Sequence, residues 1–417
     1  MTEIISYMKE FNPWWEGKFK LEYKEREIYS RIKKFMDMPQ IIALTGLRRV
    51  GKSTIMLKIV EEWLSSGFSP RNIFFFSFDD LKDSSLRKVV GEYERVNNKK
   101  LSDEKFLFLF DEIQKIENWQ EQVKVIYDLY KKNVKVIVSG SESLFIRKKS
   151  KESLAGRIFE FKVETLSFKE FIGFKGINHS PLELYKEEYF RLFEEFVFSG
   201  GFPELCGITD KEKIKMYTKE GIRDKVLYKD IPSLFKIEDI SILNSILESI
   251  TENPGQLIEL SSFSSEYGIS RPTLSNYLRY LEDSFLIKKL YNFSKNKRKI
   301  ERKLKKYYPT LASTNLLFSE DPLKKSKVFE SCIVNQLKAE FFWRDSYKHE
   351  VDVVLAEGEI VPIEIKYGEK KDLKGMLRFM KVFEIDNGLI ISKEEERKQK
   401  FGSKEVSVMP AWKWLLE

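Results

Sequence analysis

The strongest constraint on the fold lies in residues 41–53, Ile-Ile-Ala-Leu-Thr-Gly-Leu-Arg-Arg-Val-Gly-Lys-Ser. An apolar, β-forming run ends at Gly46 and passes through G-x-x-x-x-G-K-S into a helical pattern. Strand, loop and helix therefore follow in the order that a phosphate-binding loop requires. Glycine at 46 and 51 admits backbone geometry that a Cβ resists. The amides of Gly46, Leu47, Arg48, Arg49, Val50, Gly51, Lys52, Ser53 and Thr54 can then turn inward around a polyphosphate. The helix that starts near Lys52 adds its positive end. Lys52 would reach the β- and γ-phosphates of ATP, and the Ser53 hydroxyl would ligate Mg²⁺. A glycine-rich turn that merely contains Lys-Ser is the alternative, and it leaves the flanking strand and helix as coincidence.

A second run fits the first. Phe106-Leu107-Phe108-Leu109-Phe110 is unbroken and apolar, as in a sheet covered on both faces, and it ends in Asp111-Glu112. Acids at the C-terminal edge of such a strand sit where ligands bind in α/β sheets. This is a Walker B pattern: Asp111 would hold Mg²⁺ beside Ser53, and Glu112 would orient and deprotonate the attacking water. Another buried strand, Val134 to Val138, ends in Ser139-Gly140-Ser141. Arg157 precedes a further strand, and its guanidinium could neutralise charge developing on the γ-phosphate; a surface ion pair is the alternative. Near the start, Asn12-Pro13-Trp14-Trp15 stands ahead of a charged helix expected over about 22–36. The two Trp are expected to staple that segment onto the first domain, with a wall of the adenine pocket as the other reading.

A chain of 417 residues exceeds one ordinary core, so several domains are expected. No apolar run has the length of a bilayer span, and residues 1–10 lack a secretory apolar region, so a cytoplasmic location without membrane contact is expected. The only cysteines, Cys206 and Cys332, are far apart and make no disulfide framework. With His179 and His349 as the only histidines, zinc clusters and His-based triads lack their residues. Carboxylates, Lys, Arg and backbone must carry the chemistry. Net charge is +8, yet Lys288 to Lys306 alone holds ten Lys or Arg against Glu301, or +9, so the remainder sums to −1. That stretch is where a polyanion would dock.

The basic stretch follows a helix-turn-helix pattern. Ser270 can cap a helix opened by Arg271 and Pro272, and Leu286 to Tyr307 reads as a β-hairpin wing. In a DNA-binding version Arg271, Thr273, Ser275 and Asn276 would face the major groove, and Lys297, Arg298 and Lys299 would contact phosphates of DNA or RNA. Use as a packing module is the alternative. Beyond it, Glu330 lies on a helix expected over about 327–339. It is followed by Phe341 to Arg344, Glu350 to Val354 and Val361 to Lys366, three strands. Alternation puts Glu364 and Lys366 on one face and Ile363 and Ile365 on the other, with Asp352 on the preceding strand. Glu330, Asp352, Glu364 and Lys366 resemble a PD-(D/E)-x-K nuclease core, in which carboxylates bind a divalent cation and Lys steadies hydroxide. A half-exposed hairpin with a charged outer face is the plain alternative.

Taken together these residues resemble the archaeal and bacterial AAA+-type P-loop ATPases with a C-terminal winged-helix and restriction-endonuclease-like region. The likeness is carried by Asn12-Pro13-Trp14-Trp15, Gly46 to Ser53, Asp111-Glu112-Ile113-Gln114 with Trp119, Ser139-Gly140-Ser141, Leu154-Ala155-Gly156-Arg157, Leu166-Ser167-Phe168 with Glu170-Phe171, and Gly200-Gly201-Phe202-Pro203-Glu204. It implies an α/β fold with a parallel sheet of order 5-1-4-3-2, with Ser139 as the residue that senses the γ-phosphate or positions the water. The expected division is an N-terminal segment at 1–38, an ATPase core at 39–165, a helical lid at 166–235, a winged helix at 236–310 and a nuclease-like domain at 311–417. ATP and Mg²⁺ are the implied cofactors. A homo-oligomer is implied if Arg157 acts on a neighbouring copy.

Overall fold

The structure, a computed structural model, describes residues 2–17, 19–79, 85–140, 153–296, 298, 300, 304–368 and 372–417. The chain divides into two compact units, Met1–Glu164 and Thr165–Glu417.

The first unit is built on five strands, β1 (Ile41–Thr45), β2 (Ile73–Ser77), β3 (Phe106–Asp111), β4 (Val134–Gly140) and β5 (Ile158–Lys162). Their order is β5-β1-β4-β3-β2 and every pairing is parallel, as expected. β1, β3 and β4 are buried along their whole length, which explains why β1 and β3 are continuous apolar runs up to their polar tips rather than alternating ones. The helices are α1 (Thr2–Phe11), α2 (Glu27–Lys33), α3 (Lys52–Ser65), α4 (Leu86–Asn97) and α5 (Trp119–Tyr130). Parallel strands bring Thr45, Asp111 and Gly140 to one edge of the sheet.

β2 ends the sheet on one side, and side chains take the place of a further strand there. Asn12 Nδ2 donates to Phe75 O at 2.8 Å, while Phe75 N donates to Asn12 Oδ1 at 2.7 Å. Both indole N–H groups, of Trp14 and Trp15, donate to Ile73 O, at 3.1 and 2.9 Å. Ile73 opens β2, so the indoles sit at the end of the strand remote from the phosphate loop and are packing residues. The adenine-wall reading of the Trp pair fails on that placement. The helix expected over 22–36 is shorter, Glu27–Lys33, with Arg26 in extended conformation ahead of it.

The second unit begins with α6 (Phe168–Phe174), which carries a complete capping box between Ser167 and Glu170. α7 (Lys186–Ser199), α8 (Lys211–Thr218) and α9 (Ile240–Glu252) follow. Next come β6 (Gln256–Ile258), α10 (Leu260–Glu266), α11 (Arg271–Asp283), β7 (Ile287–Asn292) and β8 (Lys305–Pro309). The rest comprises α12 (Pro322–Gln336), β9 (Phe341–Arg344), β10 (Glu350–Leu355), β11 (Val361–Lys366), α13 (Lys374–Phe383), β12 (Asn387–Ser392), β13 (Arg397–Phe401) and β14 (Lys404–Pro410).

All nine strands form one sheet, in the order β13-β14-β12-β11-β10-β9-β7-β8-β6. β7 and β8 make the antiparallel hairpin read from the basic stretch. β7 also lies parallel to β9 through Tyr291 opposite Phe341 and Asn292 opposite Phe342. Asn292 fixes that junction by exchanging two hydrogen bonds with the backbone of Arg344, at 2.9 and 3.2 Å. The hairpin and the strands after residue 311 therefore share a sheet. Ile363 and Ile365 enter the apolar cluster with Leu290, Phe342 and Val353, as alternation requires. Cys206 and Cys332 are not joined in a disulfide. Among the described residues no helix is long and apolar enough to cross a membrane.

Candidate nucleotide site

β1 ends at Thr45 and is followed by Gly46, whose φ of 149° and close neighbours set the loop's entry: a Cβ there would lie 2.1 Å from Val163 O. Arg49 at φ 65° and Gly51 at φ 96° then turn the chain, and α3 starts at Lys52. Lys52 is only 5% exposed, and its ammonium donates to Gly46 O at 3.0 Å and Leu47 O at 2.9 Å. The charge is thereby held inside the turn that the loop describes. Leu47 and Val50 are buried, whereas Arg49 and Thr54 are exposed.

The strand tip named by the Walker B pattern meets this loop. Asp111 Oδ2 accepts from Ser53 Oγ at 2.6 Å. Asp111 Oδ1 accepts from the Ser139 hydroxyl and from the Glu112 amide, the latter at 3.2 Å. A hydroxyl and a carboxylate side by side are the hard oxygen donors that suit Mg²⁺, which keeps several waters of its own. Glu112 adopts φ 52° just past the strand, and its carboxylate accepts from Gln114 Nε2 at 2.6 Å. Burial pushes the Glu112 carboxyl up, Asp111 adds to that, and Lys52 and Arg48 oppose it.

Two further placements follow. Arg26 was not singled out by any motif, yet its guanidinium donates to Val50 O and Glu164 O, both at 2.8 Å. It braces the phosphate loop from behind. Arg157 is not brought to the loop. It precedes β5, whose Ile158 pairs with Ile41 at the start of β1, so it sits at the opposite edge of the sheet from Lys52. There it forms an ion pair with Asp128 at 2.9 Å, the surface alternative. Ser141 lies outside the described residues, as do Lys297 and Lys299.

Residues 38–172 match the family model described as AAA domain. Over this segment the chain is similar to an AAA domain, and its five-stranded parallel sheet has the fold of a P-loop NTPase. Residues 190–310 and 325–414 match two domains of unknown function, DUF8612 and DUF4143. Protein MJ1544 of Methanocaldococcus jannaschii, described as uncharacterized, is 26% identical over 90% of this chain and 88% of its own length. An uncharacterized Haemophilus influenzae protein is 29% identical over 63% of this chain and 66% of its own. Among solved structures, one of Drosophila ORC bound to AT-rich DNA and Cdc6 aligns at 12% identity and a TM-score of 0.23, covering 76% of this chain and 92% of that one. One of C. elegans PCH-2 aligns at 15% and 0.25, covering 68% and 66%. Superpositions at that level carry nothing about function. The second unit brings Glu330, Asp352, Glu364 and Lys366 together. Lys366 Nζ lies 2.6 Å from Glu364 Oε2 and 3.5 Å from Asp352 Oδ2, and Glu330 Oε1 accepts from Tyr308 at 2.6 Å.

Proposed function

We infer that the chain is an Mg²⁺-dependent ATPase whose hydrolysis cycle drives movement of its C-terminal region on nucleic acid. The observation that carries the ATPase reading is the hydrogen-bonded row Ser53–Asp111–Ser139 set against the Lys52 loop. Transfer of a phosphoryl group to water needs positioning and charge neutralisation more than covalent chemistry. The amides of Gly46 to Ser53 would cradle the phosphates, and Lys52 would exchange its two carbonyl partners for β- and γ-phosphate oxygens. Ser53 and Asp111 would hold Mg²⁺, which would supply charge neutralisation to the phosphates when bound. Glu112 would take the proton of the attacking water, while Ser139 fixes the carboxylate next to it. A finger role for Arg157 would require a second copy of the chain.

Lys52→Ala is expected to weaken ATP binding at least a hundredfold, read by displacement of a fluorescent nucleotide. Binding that persists at the parent's affinity would refute the site.

The nucleic-acid reading rests on a different observation. The order α9, β6, α10, α11, β7, β8 is that of a winged helix, and Arg271, Ser275 and Asn276 are exposed on α11 while Leu274, Tyr277, Leu278 and Leu281 are buried. Part of the basic stretch is already neutralised: Lys289 pairs with Glu282 at 2.7 Å and Lys306 with Glu350 at 2.5 Å. Arg298 is exposed and remains for a polyanion. Arg271→Glu with Arg298→Glu is expected to lower duplex DNA affinity at least tenfold at low salt and to flatten its salt dependence by about one phosphate contact, that of Arg298. Equal, undetectable binding of DNA and RNA by parent and variant would favour the rival reading, a nucleotide-dependent switch that presents a protein-binding surface.

A further inference from the structure

The nuclease-like cluster contains a charge that its motif does not include. Lys306, from β8, is 4% exposed and reaches into the cluster over the ring of Phe342, 5.5 Å from its centroid. Its ammonium lies 2.5 Å from Glu350 Oε1 and 3.9 Å from Asp352 Oδ1. The other oxygen of Asp352 accepts from Ile365 N at 2.9 Å and faces Lys366 Nζ at 3.5 Å. Both carboxylate oxygens of the central acid thus face ammonium groups. Glu364, 3% exposed, is held by Lys366, Glu330 by Tyr308, and Glu350 also by Arg344 at 2.7 Å.

We propose that the Lys306 ammonium stands in for a divalent cation, so that the cluster of Glu330, Asp352 and Glu364 is closed to metal. A divalent ion needs several oxygens at about 2.0–2.6 Å. Here Asp352 is engaged through both oxygens and Glu330 and Glu364 each through one, and the ion would sit against two buried positive charges in a medium that screens them poorly. Among the described residues no group of three or more His, Cys, Asp or Glu is placed to hold a metal. The residues present therefore do not fit the cation that the nuclease resemblance implies. The lysine instead ties the hairpin strand β8 to β10. This inference rests on neither the ATPase nor the DNA-binding reading.

Mn²⁺ titration followed by electron paramagnetic resonance, without nucleotide, tests it on the full chain. In the parent, Asp352→Asn is expected to leave Mn²⁺ uptake unchanged. Lys306→Met is expected to gain one Mn²⁺ per chain, at least tenfold tighter than the parent holds, and to lose it when Asp352→Asn is added. Lys306→Arg should behave as the parent. Any Mn²⁺ at Ser53 and Asp111 is common to all these proteins and cancels. Mn²⁺ should also raise the melting temperature of Lys306→Met and not that of the parent. The proposal is overturned if Asp352→Asn lowers Mn²⁺ uptake of the parent. It is equally overturned if Lys306→Met folds without gaining the site, or stays unfolded when Mn²⁺ is supplied in place of the missing charge.

Discussion

Glu112→Gln is expected to bind ATP as the parent does and to hydrolyse it roughly a hundred to ten thousand times more slowly. Glutamine keeps the volume and can still meet Gln114, so the loop and the Ser53–Asp111 bond are undisturbed, and only the proton acceptor is lost. The environment sharpens the expectation. Burial raises the carboxyl of Glu112 against the pull of Lys52 and Arg48, bringing it nearer to neutrality, where a general base is most effective. The sign follows: the base works only when ionised, so turnover should fall with decreasing pH at a higher pH than an ordinary Glu would dictate. Single-turnover hydrolysis across pH, alongside nucleotide binding, measures both. Unchanged turnover in Glu112→Gln would remove this residue from the reaction.

Gly46→Ala should be the most damaging small substitution in the first unit. An added Cβ would fall 2.1 Å from the Val163 carbonyl oxygen, an atom of the backbone that no rotamer change can move. The residue would also have to hold a φ of 149°. Val163 N is meanwhile tied to Thr45 O at 2.7 Å, so relief must come from separating β1 from the segment after β5. A loss of about 2–4 kcal/mol in unfolding free energy is expected, together with at least a tenfold loss of nucleotide affinity as the first amide of the cradle is displaced. Gly176→Ala is the control: its φ is 70° but a Cβ there meets nothing within 4 Å, so only the backbone term of about 1 kcal/mol applies. If the two variants melt alike in denaturant, the close approach at Gly46 does not exist.

What sequence made legible was local chemistry on a predictable backbone. The loop from Gly46 to Ser53 and the tip at Asp111-Glu112 carry their geometry in their own residue types, and a parallel sheet delivers both to one edge. The strands at 341–344, 350–355 and 361–366 are likewise legible as short β-rich runs in their own residue types. Residues whose role depends on distant chain were not. Arg26 braces Val50 and Glu164 from 24 and 138 positions away, and Lys306 meets Glu350 across strands that only the folded sheet brings near. Arg157 is instructive because a cue existed. A residue just before a parallel strand lies at the edge opposite the ligand, which favours the surface ion pair over the finger role.

The Asn12 and Trp pair on β2 has an implication for assembly. An outermost strand of sequence Ile-Phe-Phe-Phe-Ser would ordinarily recruit another chain through its open amides and carbonyls. Here the carboxamide of Asn12 mimics a peptide unit and quenches that recruitment, with the indoles occupying the adjoining carbonyl. Any ring or dimer built by this protein must therefore use surfaces other than that rim, and shortening the amino terminus past residue 15 would trade a quiet monomer face for an adhesive one.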